Sequence, residues 1–158
     1  MLKMSQSDFE TIRRHGEQTY PHECCGVLLG KMEGDQRTVA AVVACGNTRS
    51  DRPSDRFHIA PQELIRAQRD ARARGLDIIG FYHSHPDCPA EWSRTDLAEA
   101  HWLGCSYIIT SVMEGKADRT NSFALQGASE EEKHFASERL EVTPATAVAM
   151  ARAVPESS

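Results

Sequence analysis

His83 and His85 stand two residues apart, directly after the apolar run DIIGFY at 77–82. In extended chain, residues i and i+2 project to the same side, so the two imidazoles can face a single ion. Asp96 follows eleven residues after His85 and three after Ser93. If Ser93 caps a helix, Asp96 falls in its first turn and can face back toward the end of the strand. Two imidazoles and one carboxylate, with a coordination position left open, make the ligand set of a catalytic rather than a structural zinc. Hydrolysis at such an ion needs a base to take a proton from water. Glu23, ahead of an unusually apolar Cys-Cys-Gly run, is the candidate for that role.

These residues must be positioned by the elements around them. Ser5 and Asp8 form a capping pattern, which predicts a first helix over 5–20 stopped by Pro21. The apolar run at 26–30 predicts a buried strand, Glu33-Gly34-Asp35 a hairpin turn, and RTVAAVVAC at 37–45 a second strand. Pro61 opens a helix that runs to Arg74 and ends at Gly75. The strand at 77–82 then delivers the chain to His83. A helix is expected over 93–103, ended by Gly104, and further strands over 107–112 and 122–125. The stretch 130–139 fits a helix, and 140–142 a last short strand. Strands interleaved with helices predict one α/β domain over 1–142, built on a mixed sheet flanked by helices, with a flexible tail over 143–158.

The chain has 158 residues and a net charge of −5, which gives no reason to expect a nucleic-acid partner. Its densest basic run (Arg66, Arg69, Arg72, Arg74) falls on the solvated face of the second helix. No segment has the apolar length of a membrane span, and the first ten residues lack the apolar core of a signal peptide. A cytoplasmic protein is expected. Five cysteines without regular spacing do not make a disulfide framework. Only Cys88 and Cys105 are placed so that a bridge is conceivable, and free thiols are the default for both.

The run ECCGVLLG at 23–30 resembles the E-x-C-G-x-L-L-G opening of the JAMM (MPN+, JAB domain) zinc metallopeptidases. His83-Ser84-His85-Pro86, six further residues and then Ser93-Arg94-Thr95-Asp96 resemble their H-x-H-P-x6-S-x-x-D signature. The likeness spans residues 20–112. It implies zinc held by His83, His85 and Asp96, water activated by Glu23, and an oxyanion stabilised by Ser93. It also implies a mixed sheet flanked by helices, related to the cytidine deaminase fold. The reaction it implies is cleavage by a peptidase or isopeptidase after the C-terminal Gly-Gly tail of a ubiquitin-like or sulfur-carrier protein. With short loops only, the chain resembles the compact bacterial stand-alone members.

Two other classes fit the sequence less well. A non-catalytic MPN-type interaction scaffold would lack the His and Asp ligands, and all are present. A nucleobase deaminase needs H-x-E with a later P-C-x-x-C, and His85 stands where the glutamate belongs. Cys24 as a fourth ligand runs against the family pattern, and His58 and His101 read as surface or packing residues. A slim Gly-Gly tail is expected to bind as an added strand between residues 47–58 and the loop 87–92, with Trp92 as apolar cover.

Overall fold

The computed structural model describes residues 1–47 and 59–144. The elements are β1 (Leu2–Ser5), α1 (Gln6–Thr19), β2 (Cys25–Glu33), β3 (Gln36–Cys45), α2 (Pro61–Ala73), β4 (Asp77–Pro86), α3 (Arg94–Glu99), β5 (Ser106–Met113), β6 (Lys116–Gln126), β7 (His134–Glu138) and β8 (Leu140–Thr143). All eight strands form one sheet in the order β7-β6-β5-β4-β2-β3-β1-β8. The pairs β4/β5, β1/β3 and β1/β8 are parallel and the others antiparallel, so the sheet is mixed, as the sequence predicts.

Alternation along the strands divides the core, with a bulge at Ile79 shifting the phase of β4. Leu28, Ile79, Tyr82 and Ile108 pack with Ile12 of α1 on one face of the sheet. Val27, Leu29, Phe81 and Tyr107 pack with Ala67 and Ala71 of α2 on the other. Leu28, Leu29, Ile79 and Ile108 are completely buried. Each such side chain stabilises the fold by about 1.5–3 kcal/mol relative to exposure. The β2–β3 hairpin turns at Gly34, whose φ of 62° suits glycine. Gly26 is needed for space, because a Cβ there would lie 2.1 Å from the ring of Tyr82.

The elements differ from the sequence reading in several places, among them β6, which begins at Lys116 rather than near Ser122. Leu2–Ser5 is a strand, made so by parallel pairing with β3 and β8 rather than by its own short pattern. The stretch read as compatible with a helix contains β7, which pairs with β6 from Gln126↔His134 to Ser122↔Glu138. The helix expected over 93–103 is only Arg94–Glu99, since Ala100 is already extended at ψ 117°. Strand β4 runs on to Pro86, so both histidines lie within it.

A single residue, Arg139, separates β7 from β8 although they form opposite edges of the sheet. The sheet therefore curls until its edges meet there. Arg37 on β3 closes the join, with its guanidinium 3.2 Å from the Glu138 carboxylate and hydrogen-bonded to the carbonyl of Gly104 at 2.9 Å. The tail expected after residue 142 lies outside the described residues from 145 onward, and β8 ends at Thr143.

Candidate metal centre

The site is built on β4 where it leaves the core. Alternation turns Tyr82 and Ser84 toward α1 and sends His83 and His85 to the opposite face. Ser84 makes use of its direction. Its Oγ accepts from the N–H of Cys24 at 2.8 Å, and its own N–H donates to the Cys24 carbonyl at 3.2 Å. Cys25 is the register partner of His83. Continuing that register through Cys24 and Ser84 places Glu23 opposite His85. A carboxylate oxygen of Glu23 and one ring nitrogen from each histidine lie within 4.8 Å of one another. Glu23 and His83 are each 2% exposed.

Asp96 comes from α3. Ser93 caps that helix by accepting from the Asp96 N–H at 3.0 Å, while Asp96 Oδ2 accepts from the Ser93 N–H at 2.9 Å. This capping box rotates the Asp96 carboxylate onto the histidines. Its Oδ1 is 3.2 Å from His83 Nε2 and its Oδ2 is 3.1 Å from His85 Nε2. The two Nε2 atoms are themselves 3.1 Å apart. The structure thus brings together four of the residues singled out in the sequence, with Ser93 at the cap beside them.

The donor set fits a cation. His85 Nδ1 is 2.9 Å from the carbonyl of Pro89, which can only accept, so Nδ1 carries a proton. In a neutral ring Nε2 then offers a lone pair, yet it faces a carboxylate oxygen and another imidazole nitrogen. Lone pairs converging on one point are satisfied by a proton or a metal ion. The Pro89 contact is also the orienting bond that metal-bound histidines commonly have. Burial pushes the imidazole of His83 below its usual range, with Asp96 opposing. Burial acts the same way on His85, but hydrogen bonds with Asp96 and Pro89 outweigh it and the pKa is raised. Burial would raise Asp96, but the two histidines hold its carboxyl well below the usual range. At neutral pH the site therefore presents a carboxylate and at least one neutral imidazole.

The loop that supplies Pro89 is fixed at its start by Asp87. This residue has a left-handed φ of 54° and accepts from the Tyr20 hydroxyl at 2.6 Å and from the Glu114 N–H at 2.8 Å. Asp96 and His83 share a cleft with Ala100, Tyr107, Ile109 and Phe135. Trp92, on the same loop, packs at a tilt against Phe135 with ring centroids 5.6 Å apart.

A match to the family model of prokaryotic homologs of the JAB domain covers residues 5–126. The chain belongs to that family. The JAB domain is 37% identical over 91 residues to a desampylase of Haloferax volcanii, covering 58% of this chain and 63% of that protein. It is 31% identical over 102 residues to a probable TtuB-protein conjugate cleaving protease of Thermus thermophilus, covering 65% of each. The chain thus spans just under two thirds of the length of these relatives. A solved protein of Desulfitobacterium hafniense superposes on 91% of this chain and 94% of its own, with a TM-score of 0.78 and 29% identity.

Other expectations resolve more simply. Cys88 and Cys105 are both free, Cys88 exposed and Cys105 buried. The Cys105 thiol points to the Ile78 carbonyl. Cys24 is buried and its thiol is pushed up to about 11, chiefly by burial, which does not suit a metal ligand. His101 pairs with Glu130 at the surface. His58, and the tail-binding wall expected over 47–58 except for Asn47, lie outside the described residues. No described helix is long and apolar enough to cross a membrane. Sequence reasoning did not find Ser84, Pro89 or Asp87. Ser84 carries a signal all the same, since a polar residue between two histidines that share one face of a strand must point to the other face.

Proposed function

We propose that this chain is a zinc-dependent peptidase or isopeptidase of the JAMM type, working through a domain over residues 1–142. Its substrate in this reading is a ubiquitin-like or sulfur-carrier protein, cleaved after the C-terminal Gly-Gly tail in the cytoplasm. One observation carries the reading: both oxygens of Asp96 lie within 3.2 Å of the Nε2 atoms of His83 and His85, with Glu23 buried beside them. The names of the relatives, a desampylase and a conjugate-cleaving protease, support a conjugated protein as substrate.

His83, His85 and Asp96 are the ligands in this account. Bound zinc supplies Lewis acidity toward the scissile carbonyl and lowers the pKa of water to about 7. Glu23 accepts the proton from the attacking water and passes it to the leaving amine. Its burial limits competing solvent, and its register opposite His85 holds its carboxylate beside the two histidines. The Ser93 hydroxyl accepts from the Asp96 N–H and keeps its own proton, which it donates to the developing oxyanion.

The test is to incubate the zinc-loaded protein with the host's sulfur-carrier proteins, extended or conjugated at the C-terminus, and to read intact masses. Release of a product ending in Gly-Gly supports the reading. Unchanged masses for every carrier would remove this substrate class.

A further inference from the structure

The third ligand stands on an unusually weak support. Helix α3 is six residues long and none of them is fully buried. A helix of that length does not hold itself in water, so its direction, and the aim of Asp96, must be imposed from outside. The capping box joins Ser93 to Asp96; Leu97 and the buried Ala100 set the helix on the core, and the remaining tie to the sheet is polar. At the other end the last carbonyls of a helix lack partners within it.

Lys133 supplies that tie. Its Nζ donates to the carbonyl of Ala98 at 3.2 Å and to that of Ala100 at 2.8 Å. The ammonium also lies 2.5 Å from Glu130 Oε1, and the Lys133 side chain is only 8% exposed. A cation at the C-terminal carbonyls also meets the negative end of the helix dipole. Lys133 immediately precedes β7, whose first residue, His134, is paired with Gln126 of β6. The ammonium is thus fixed to the sheet on one side and to the end of α3 on the other. Ala98 is two residues from Asp96.

We infer that Lys133 is a positioning residue for the metal centre, holding α3 so that the Asp96 carboxylate stays on His83 and His85. It touches no reacting atom. The inference rests on the assignment of Asp96 as a ligand. It extends that assignment to a side chain outside the motif, on an element distant in sequence.

The probe is zinc alone. Affinity is measured by chelator competition for the unaltered protein, Lys133→Met and Lys133→Arg, and the visible spectrum of each Co²⁺-substituted form is recorded. Residues that orient a ligand typically contribute 10–100-fold to metal affinity. Lys133→Met is expected to bind zinc at least about tenfold more weakly with an altered Co²⁺ spectrum, and Lys133→Arg, which can still donate to both carbonyls, to recover most of the loss. Hydrogen exchange on the metal-free proteins should show faster exchange at the Leu97 and Ala100 amides in Lys133→Met, with the β5 amides unchanged. Folded Lys133→Met with unaltered affinity and spectrum would overturn the inference. Should that variant not fold, Lys133→Gln, which keeps a polar end but does not reach the carbonyls, is read in the same way. Absence of zinc binding by the unaltered protein overturns the ligand assignment first, and this inference with it.

Discussion

Cys25 on β2 is the register partner of His83 on β4, and the Cys24–Ser84 hydrogen bonds carry that register one step further. Glu23 comes to lie beside the histidines as a result of strand pairing. A residue sixty positions earlier in the chain is thereby placed by two backbone-anchored bonds, without a flexible loop.

Glu23→Gln should keep zinc and lose turnover. The amide is nearly isosteric but cannot accept a proton, and a general base typically contributes 10²–10⁴-fold. Steady-state assays on a cleavable carrier conjugate should show a fall in kcat of about that size with little change in KM. Near-normal kcat would take Glu23 out of the mechanism.

Zinc affinity should fall on acidification through the pKa of His85. That pKa is raised, because hydrogen bonds that His85 donates to Asp96 and Pro89 overcome burial, so a proton competes with the metal at Nε2. Asp96 stays ionised well below this range, and burial pushes the His83 imidazole below its ordinary value. Chelator competition between about pH 5 and 8, where histidine charge changes fall, should show one proton displaced per zinc on the acid side. In the metal-free protein the sign reverses. The His85–Asp96 pair stabilises the fold fully below the unfolded pKa of about 6.5, and this is lost as pH rises through the folded value. A zinc affinity independent of pH over this window would contradict the account.

Gly26→Ala should destabilise the domain. Its Cβ would fall 2.1 Å from the Tyr82 ring, and Tyr82 is completely buried with its hydroxyl 2.8 Å from His15 Nδ1. Overpacking of this kind costs about 1–3 kcal/mol, which a urea midpoint resolves. An unchanged midpoint would mean that Tyr82 moves aside freely.

The cluster of His83, His85 and Asp96 was legible because its spacing is local. His83 and His85 share a strand face, and Ser93 and Asp96 share a helix turn. Whatever depended on pairing between distant segments was not legible. Leu2–Ser5 is too short to read as a strand and becomes one only between β3 and β8. The stretch before Arg139 carries helix-forming glutamates, but β6 offers its edge and Phe135 joins an aromatic group with Tyr107, Phe123 and Trp92. The position of Glu23 followed from resemblance alone until the register was known. Lys133 carried no motif at all.

A Gly-Gly tail has no side chains to grip, so a site that reads one should select for slimness. Valine in place of the penultimate glycine of a cleavable tail is expected to abolish cleavage, with zinc content unaffected. Equal cleavage of both tails would show that the site does not discriminate in this way.

The geometry offers two carboxylates to one pair of histidines, and the account assigns Asp96 to the metal and Glu23 to the water. Metal stoichiometry separates these roles directly, measured by elemental mass spectrometry on the unaltered protein, Asp96→Ala and Glu23→Gln after dialysis against trace zinc. The expected result is about one zinc per chain in the unaltered protein and in Glu23→Gln, with little in Asp96→Ala. Full zinc in Asp96→Ala together with loss of zinc from Glu23→Gln would reverse the two roles and contradict the account at its centre.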